Sequence, residues 1–314
     1  MATAMKTVDQ IADVLKGSGL QTIGAMVFWS LTGVRLEREQ FQSAVDLLGL
    51  GAAVPRPSKG YALLSEAVRR VSIGRKDVIF RRTGKAWAVV FEKSGRKFEH
   101  NHAATLHAID NEDGSIKIEA RDPETGEAFQ PATEALSDLI VKIGIEVKER
   151  QRYFLTDDLS SMLVTMMHGT ARQSLLAALS LRDRSGGLYF VHASKVEQVK
   201  QLSALVQEQC PGSQLAVLTL TGDADNLARA AVTARQSITS QLVEIRSEIG
   251  EFVAKMKATD GKVQDRNIEV RAARFQALRD RADLFADLLG EVAGELRAQI
   301  DTARDELLKE LEAL

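Results

Sequence analysis

GSGLQTIGAMVFWSLTGV, residues 17–34, carries no charged side chain over 18 residues. A run this apolar must be buried, so its conformation decides what packs around it. Gly, Ser, Gln and Thr interrupt it, and its dense apolar part is short of the roughly 20 predominantly apolar residues that a membrane span needs. The spacing of Ile23, Val27 and Leu31 predicts a buried helix. It is flanked by TVDQIADVLKG, which offers Thr7 as a cap with Val8, Ile11, Ala12 and Leu15 on one face, and by REQFQSAVDLLG, with Phe41, Val45 and Leu48 in phase. After the break at VPRP, residues 54–57, SKGYALLSEAVRRV resumes a helical pattern with basic residues in its last turn. Residues 1–72 are therefore expected to be a helical unit, of the kind that helix-turn-helix proteins also show.

Residues 73–130 change period. KDVIFRRT, GKAWAVVFEKSG, RKFEHNHAATLHAID and GSIKIEARD alternate in twos, and the breaks between them are short and contain glycine, as hairpins require. This block predicts an antiparallel β meander. Residues 131–222 read as a small α/β module. TEALSDLIVKIGIEV is amphipathic, and SGGLYFV, SKVEQVKQLSALVQEQ and SQLAVLTLTG spell strand, helix, strand, with a helix long enough for a crossover between parallel strands. Residues 223–314 contain no proline and have apolar residues three or four apart, interrupted at KATDGKVQDR. They predict a long C-terminal antiparallel helical hairpin, coiled-coil-like, with a second arm of about 47 residues reaching about 70 Å. The expected fold class is α+β.

The chain has 314 residues, 45% hydrophobic and 27% charged, with a formal net charge of −2. That balance belongs to a globular protein. The single cysteine, Cys210, excludes an internal disulfide and fits a reducing compartment. With no basic leader followed by a long apolar run at the start, the expected location is cytoplasmic, with no membrane association. The charge is uneven. Residues 55–107 hold 12 Lys and Arg against 4 Asp and Glu, a local excess that creates a steering field hidden by the overall balance.

FEHNHAATLHAID, residues 98–110, contains three of the five histidines. On a regular strand His100 and His102 share a face and His107 takes the other. A zinc or non-haem iron site needs three or four converging ligands, so His100 and His102 are weak metal candidates and no cofactor is expected. The basic block carries more. Arg69, Arg70, Arg75, Lys76, Arg81, Arg82, Lys85, Lys93, Arg96 and Lys97 cluster at strand ends and turns, interleaved with Phe80, Trp87, Phe91 and Phe98. Cations neutralise phosphates and aromatic rings stack on bases.

No Walker loop, no strand-borne G-x-G-x-x-G and no G-x-S-x-G is present. Cys210 lacks a base beside it in sequence. Asp157 and Asp158 fit a helix start, and Met162, Met166 and Met167 fit a core.

These observations point to a non-enzymatic, oligomerising nucleic-acid-binding protein of the bacterial or phage type, contacting phosphates through the β platform. The seam Phe275, Phe285, Leu289, Val292, Leu296, Ile300 and Leu307 would hold a homo-oligomer together, because exposed seams of that size seldom stay uncovered. Two alternatives stand beside it. One is a structural or adaptor protein whose C-terminal hairpin mediates self-assembly or binds a protein partner. The other is a metal-dependent enzyme around His100 and His102.

Overall fold

The computed structural model describes residues 21–56, 58–92, 100–131, 133–170, 173–181, 187–259 and 265–312. The helix expected over residues 7–16 lies outside them. The fold is α+β, and the chain forms two compact units. One contains residues 1–34, 39–54 and 156–314, and the other residues 35–38 and 55–155.

In the first unit, the helix expected over residues 17–34 is replaced by a strand, β1, Thr22–Ser30. It lies inside a four-stranded sheet, between β10 (Gln214–Thr221) on one side and β9 (Tyr189–His192) on the other. The two-residue β8 (Leu179–Ser180) follows β9 at the far edge. Thr22, Ile23, Val27, Phe28 and Trp29 are β-branched or aromatic and suit a pleated sheet. Ala25 and Val27 are fully buried, and Gly24 is buried on the opposite face. Over Ile23–Ala25 burial falls on both faces and the run is apolar, which removes the alternation that identifies strands in sequence, although Phe28 further along is exposed. Gly24 is required by contact: a Cβ there would stand 2.3 Å from the carbonyl oxygen of Val191 and 2.6 Å from the Phe190 ring.

β1 is antiparallel to both neighbours, so β9 and β10 run parallel to each other with β1 between them. The helix linking them, α5 (Val196–Gln209), buries Val196, Val199, Leu202 and Val206 and packs on β10. α1 (Arg38–Leu47) buries Phe41 and Val45. α4 (Thr156–His168) buries Leu159, Met162, Leu163, Met166 and Met167, so these methionines are core residues. Cys210 is buried at the end of α5, and burial pushes its thiol pKa up, away from the thiolate that reactivity requires.

The C-terminal region begins with α6 (Ala224–Thr259), whose Ala230, Ala234, Ile238, Leu242, Ile245, Ile249 and Val253 are buried at helical spacing. The expected second arm is not one rod. It is α7 (Asp265–Leu284), a single turn α8 (Ala286–Leu289) and α9 (Val292–Glu312). Gly290 adopts φ +57° and ψ −131° between α8 and α9, a backbone conformation open essentially to glycine alone. The chain turns back there, and α7 and α9 pack on each other and on α6.

This fold-back changes the reading of the seam. Phe275, Phe285, Leu289, Leu296, Ile300 and Leu307 are buried in the chain's own cluster, and Val292 packs against it. That cluster continues to Ile23, Leu179 and Phe190 of the sheet. The Phe190 and Phe285 rings are 5.9 Å apart, and His192 Nε2 lies 3.1 Å from Asp287 Oδ2. The unmatched arm that called for a second copy is covered within one chain.

The second unit is the expected meander: β3 (Val78–Thr83), β4 (Ala86–Glu92), β5 (His100–Asp110) and β6 (Ile116–Arg121), antiparallel and in sequence order. Two helices, α2 (Gly60–Ser72) and α3 (Glu134–Arg152), cover one face. Leu63, Leu64, Ala67 and Val68 from α2 and Leu136, Leu139, Ile143 and Val147 from α3 meet Val78, Val89, Ala104, Leu106, Ile116 and Ala120. A short pair, β2 (Arg35–Glu37) with β7 (Tyr153–Leu155), completes this unit. No helix among the described residues is long and apolar enough to cross a membrane.

Candidate nucleic-acid interface

Within the basic block, Arg81 and Arg82 lie on the edge strand of the meander and Arg69 and Arg70 at the end of α2. Among the described residues β3 has only β4 as a strand neighbour, and alternate residues of an edge strand reach opposite faces. Arg82 is opposite Trp87 and Arg81 is opposite Ala88. Arg82 therefore shares the helix-covered face with Trp87, and Arg81 shares the other. Thr83 pairs with Ala86, leaving Gly84 and Lys85 as a two-residue turn. Gly84 has φ +64°, as the first position of a type II′ hairpin demands. Lys85 is thereby held at the tip, with Nζ 5.9 Å from the Tyr61 ring centroid.

α2 lies alongside this corner. Trp87 Nε1 donates to Ser65 Oγ at 3.0 Å. Tyr61, Ser65 and Arg69 recur at four-residue steps and share one face of the helix, so Arg69 follows the edge that Lys85 and Arg82 begin. Tyr61 and Ser65 were not singled out from sequence, although their spacing to Arg69 was visible there.

The ten residues expected to contact phosphate do not act as one set. Arg70 is engaged with Glu146 at 3.5 Å. Arg75 forms a fork with Asp77, Nε to Oδ1 at 3.2 Å and Nη2 to Oδ2 at 2.9 Å, and the hydrogen bond from Arg75 holds the Asp77 carboxyl below its usual pKa. Arg69, Lys76, Arg81, Arg82 and Lys85 are exposed, and none has a carboxylate partner among the described residues. Lys93, Arg96 and Lys97 lie outside the described residues, as does Phe98.

The aromatic residues correct the expected chemistry. Phe80, Trp87 and Phe91 pack against the core under α2 and α3. They do not form a face for base stacking. Cationic and hydroxyl contacts remain.

The histidines are also rearranged. Val89 pairs with Ala104, but Val90 pairs with His102, so Ala103 is an extra residue in β5. A bulge of this kind reverses the alternation beyond it. His102 therefore joins His107 on the face away from the helices, where a regular strand would separate them. His102 Nε2 is 3.4 Å from Thr105 Oγ1. Burial, with Arg121 nearby, lowers the His107 pKa, and Glu119 opposes the shift. The side chain of His100 is outside the described residues. Among the described residues no three His, Cys, Asp or Glu side chains gather as a metal site would, and the pairing of His100 with His102 in such a site gains nothing from the geometry.

No curated protein and no solved structure matches the chain. A family model described as a family of unknown function (DUF6744) matches residues 22–313. That match opens at the first residue of β1 and runs through α9, spanning both compact units. The chain therefore belongs to the DUF6744 family.

Proposed function

We propose that this protein binds nucleic acid through the phosphate backbone, without catalysis, along the β3 edge of the meander. Arg69, Lys76, Arg81, Arg82 and Lys85 make the contacts, and Lys93, Arg96 and Lys97, close in sequence, add to the cationic charge. The observation that carries the reading is the contrast within the basic block. Arg70 and Arg75 are matched by carboxylates, whereas the five edge cations are exposed and carry no such match among the described residues. The edge is about 20 Å long for a six-residue strand, enough to follow several phosphates. Self-association is not needed to cover the helical seam and forms no part of this reading. The single buried cysteine supports action in a reducing, cytoplasmic setting.

Edge cations also protect a sheet from pairing with other strands, and the test must separate the two roles. Fluorescence anisotropy with labelled single-stranded DNA, duplex DNA and RNA, over a salt series, does so. The expected result is binding that weakens linearly in log salt, with the slope reduced by about 0.7–0.9 for each contact removed. Absence of binding to all three probes at low salt overturns the proposal and leaves edge protection as the role of these residues.

A further inference from the structure

Arg281 is a buried cation in the first unit. It is 3% exposed. Its Nη2 donates to the His168 carbonyl at 2.8 Å, closing the C-terminal end of α4, where the helix dipole favours a cation. Its Nη1 donates to Gln241 Oε1. Both acceptors are neutral. A guanidinium has five N–H groups, so three remain after these two bonds, and Nε has no partner. No carboxylate among the described residues pairs with it. Burial pushes its pKa down to about 10.

A cavity of about 370 Å³ opens beside it, lined by His168, Gly169 and Thr170 at the end of α4, by Gln241, Glu244 and Ile245 of α6, and by Arg274, Ala277, Leu278 and Arg281 of α7. Arg274 and Arg281 are seven residues apart and share a face of α7. Arg274 is bridged to Glu248, which leaves most of its N–H groups for a ligand. Glu244 is exposed, so water and salt screen its charge, while the buried charge of Arg281 is screened far less. The positive field is felt at His168, whose pKa falls to about 4, first through burial and then through Arg281.

We propose that this cavity is an oxyanion site for phosphate or a phosphate monoester, anchored by Arg281, with Arg274 as the second cation. Forked guanidinium groups match phosphate oxygens with parallel hydrogen bonds. An anion there supplies the acceptors and the counter-charge that the protein does not. Ile245, Ala277 and Leu278 give an apolar wall for the organic part of an ester. The proposal stands or falls independently of nucleic-acid binding.

Isothermal titration of the full chain with inorganic phosphate and with phenyl phosphate, at ionic strength held constant with chloride, tests it. Wild type is expected to show saturable binding near the millimolar range or tighter, weakened about tenfold or more in both Arg281→Met and Arg274→Gln. Tighter binding of phenyl phosphate identifies an ester site, and equal binding a free-phosphate site. No saturable heat with either probe, or unchanged affinity in both variants, overturns the proposal. If Arg281→Met does not fold, Arg274→Gln decides, because Arg274 is partly exposed and its loss spares the core.

Discussion

Arg150 and Glu66 lie 3.1 Å apart, Nη1 to Oε2, and join α3 to α2. The Arg150 side chain is only 10% exposed, and its Nε also donates to Glu146 at 3.1 Å. Arg150→Ala should destabilise the protein by about 2 kcal/mol, since Glu146 is left partly buried with a weaker partner. Glu66 is 43% exposed, so Glu66→Gln should cost no more than about 1 kcal/mol. Urea unfolding of the two variants checks the order, and equal losses would contradict it.

Gly24 and Gly290 should fail for different reasons. At Gly24 a methyl group meets the Val191 carbonyl and the Phe190 ring. Gly24→Ala must separate β1 from β9, at a cost of about 1–3 kcal/mol. The expected signature is a lower denaturant midpoint with altered near-ultraviolet signals from Trp29 and Tyr189, which stack at 5.4 Å.

At Gly290 nothing lies within 4 Å of an added Cβ. The cost of Gly290→Ala is conformational alone, about 1–3 kcal/mol from φ +57° and ψ −131°. Gly290→Asn should cost about as much, because asparagine tolerates positive φ only in the left-handed helical region, far from ψ −131°. Thermal unfolding of both variants checks this, and an asparagine variant as stable as wild type would contradict it.

His168 should make stability fall in mild acid. Its folded pKa is about 4 against 6.5 in the unfolded chain. Between those values the unfolded state binds more protons, so stability rises with pH through this window and is lost as pH drops toward 4. His168→Gln should flatten the dependence of Tm on pH between about 4 and 6.5. A profile that matches wild type would show that His168 is not the group responsible.

Nucleic-acid affinity should separate the arginines by their partners. Arg82→Ala and Lys85→Ala should each lower the salt slope by about 0.7–0.9. Arg70→Ala and Arg75→Ala should lower it less, because Glu146 and Asp77 already neutralise those charges. Anisotropy titrations at several salt concentrations compare the four, and equal effects would remove the edge strip from the interface.

Several elements were legible from residues close in sequence. The β3–β4 and β5–β6 hairpins announce themselves through Gly84 and Gly114 between alternating segments, and both glycines have positive φ. α3 and α6 bury faces that helical spacing marks in advance. The concentration of cations before His102 was equally plain. The Arg75–Asp77 pair is two positions apart and within local reach, but the match of Arg70 was not legible, because Glu146 is 76 positions away in the chain numbering. Arg281 gave no signal at all: a single arginine in a charged helix looks solvated until α4 and α6 close over it.

The sequence by itself determined the local conformations: where glycine turns the chain, where a helix has one apolar face, and where period two marks a half-buried strand. Tertiary structure decided the rest. β1 is a strand because β9 and β10, more than 150 residues away, supply its hydrogen-bond partners; its unbroken apolar run is compatible with a buried helix as well. The bulge at Ala103 brings His102 and His107 to one face, which strict alternation forbids. The turn at Gly290 folds the last arm onto α6 and α7, burying Phe285, Leu296 and Ile300 within one chain. In each case the deciding energy is long-range pairing or burial, which the local pattern of residues does not contain.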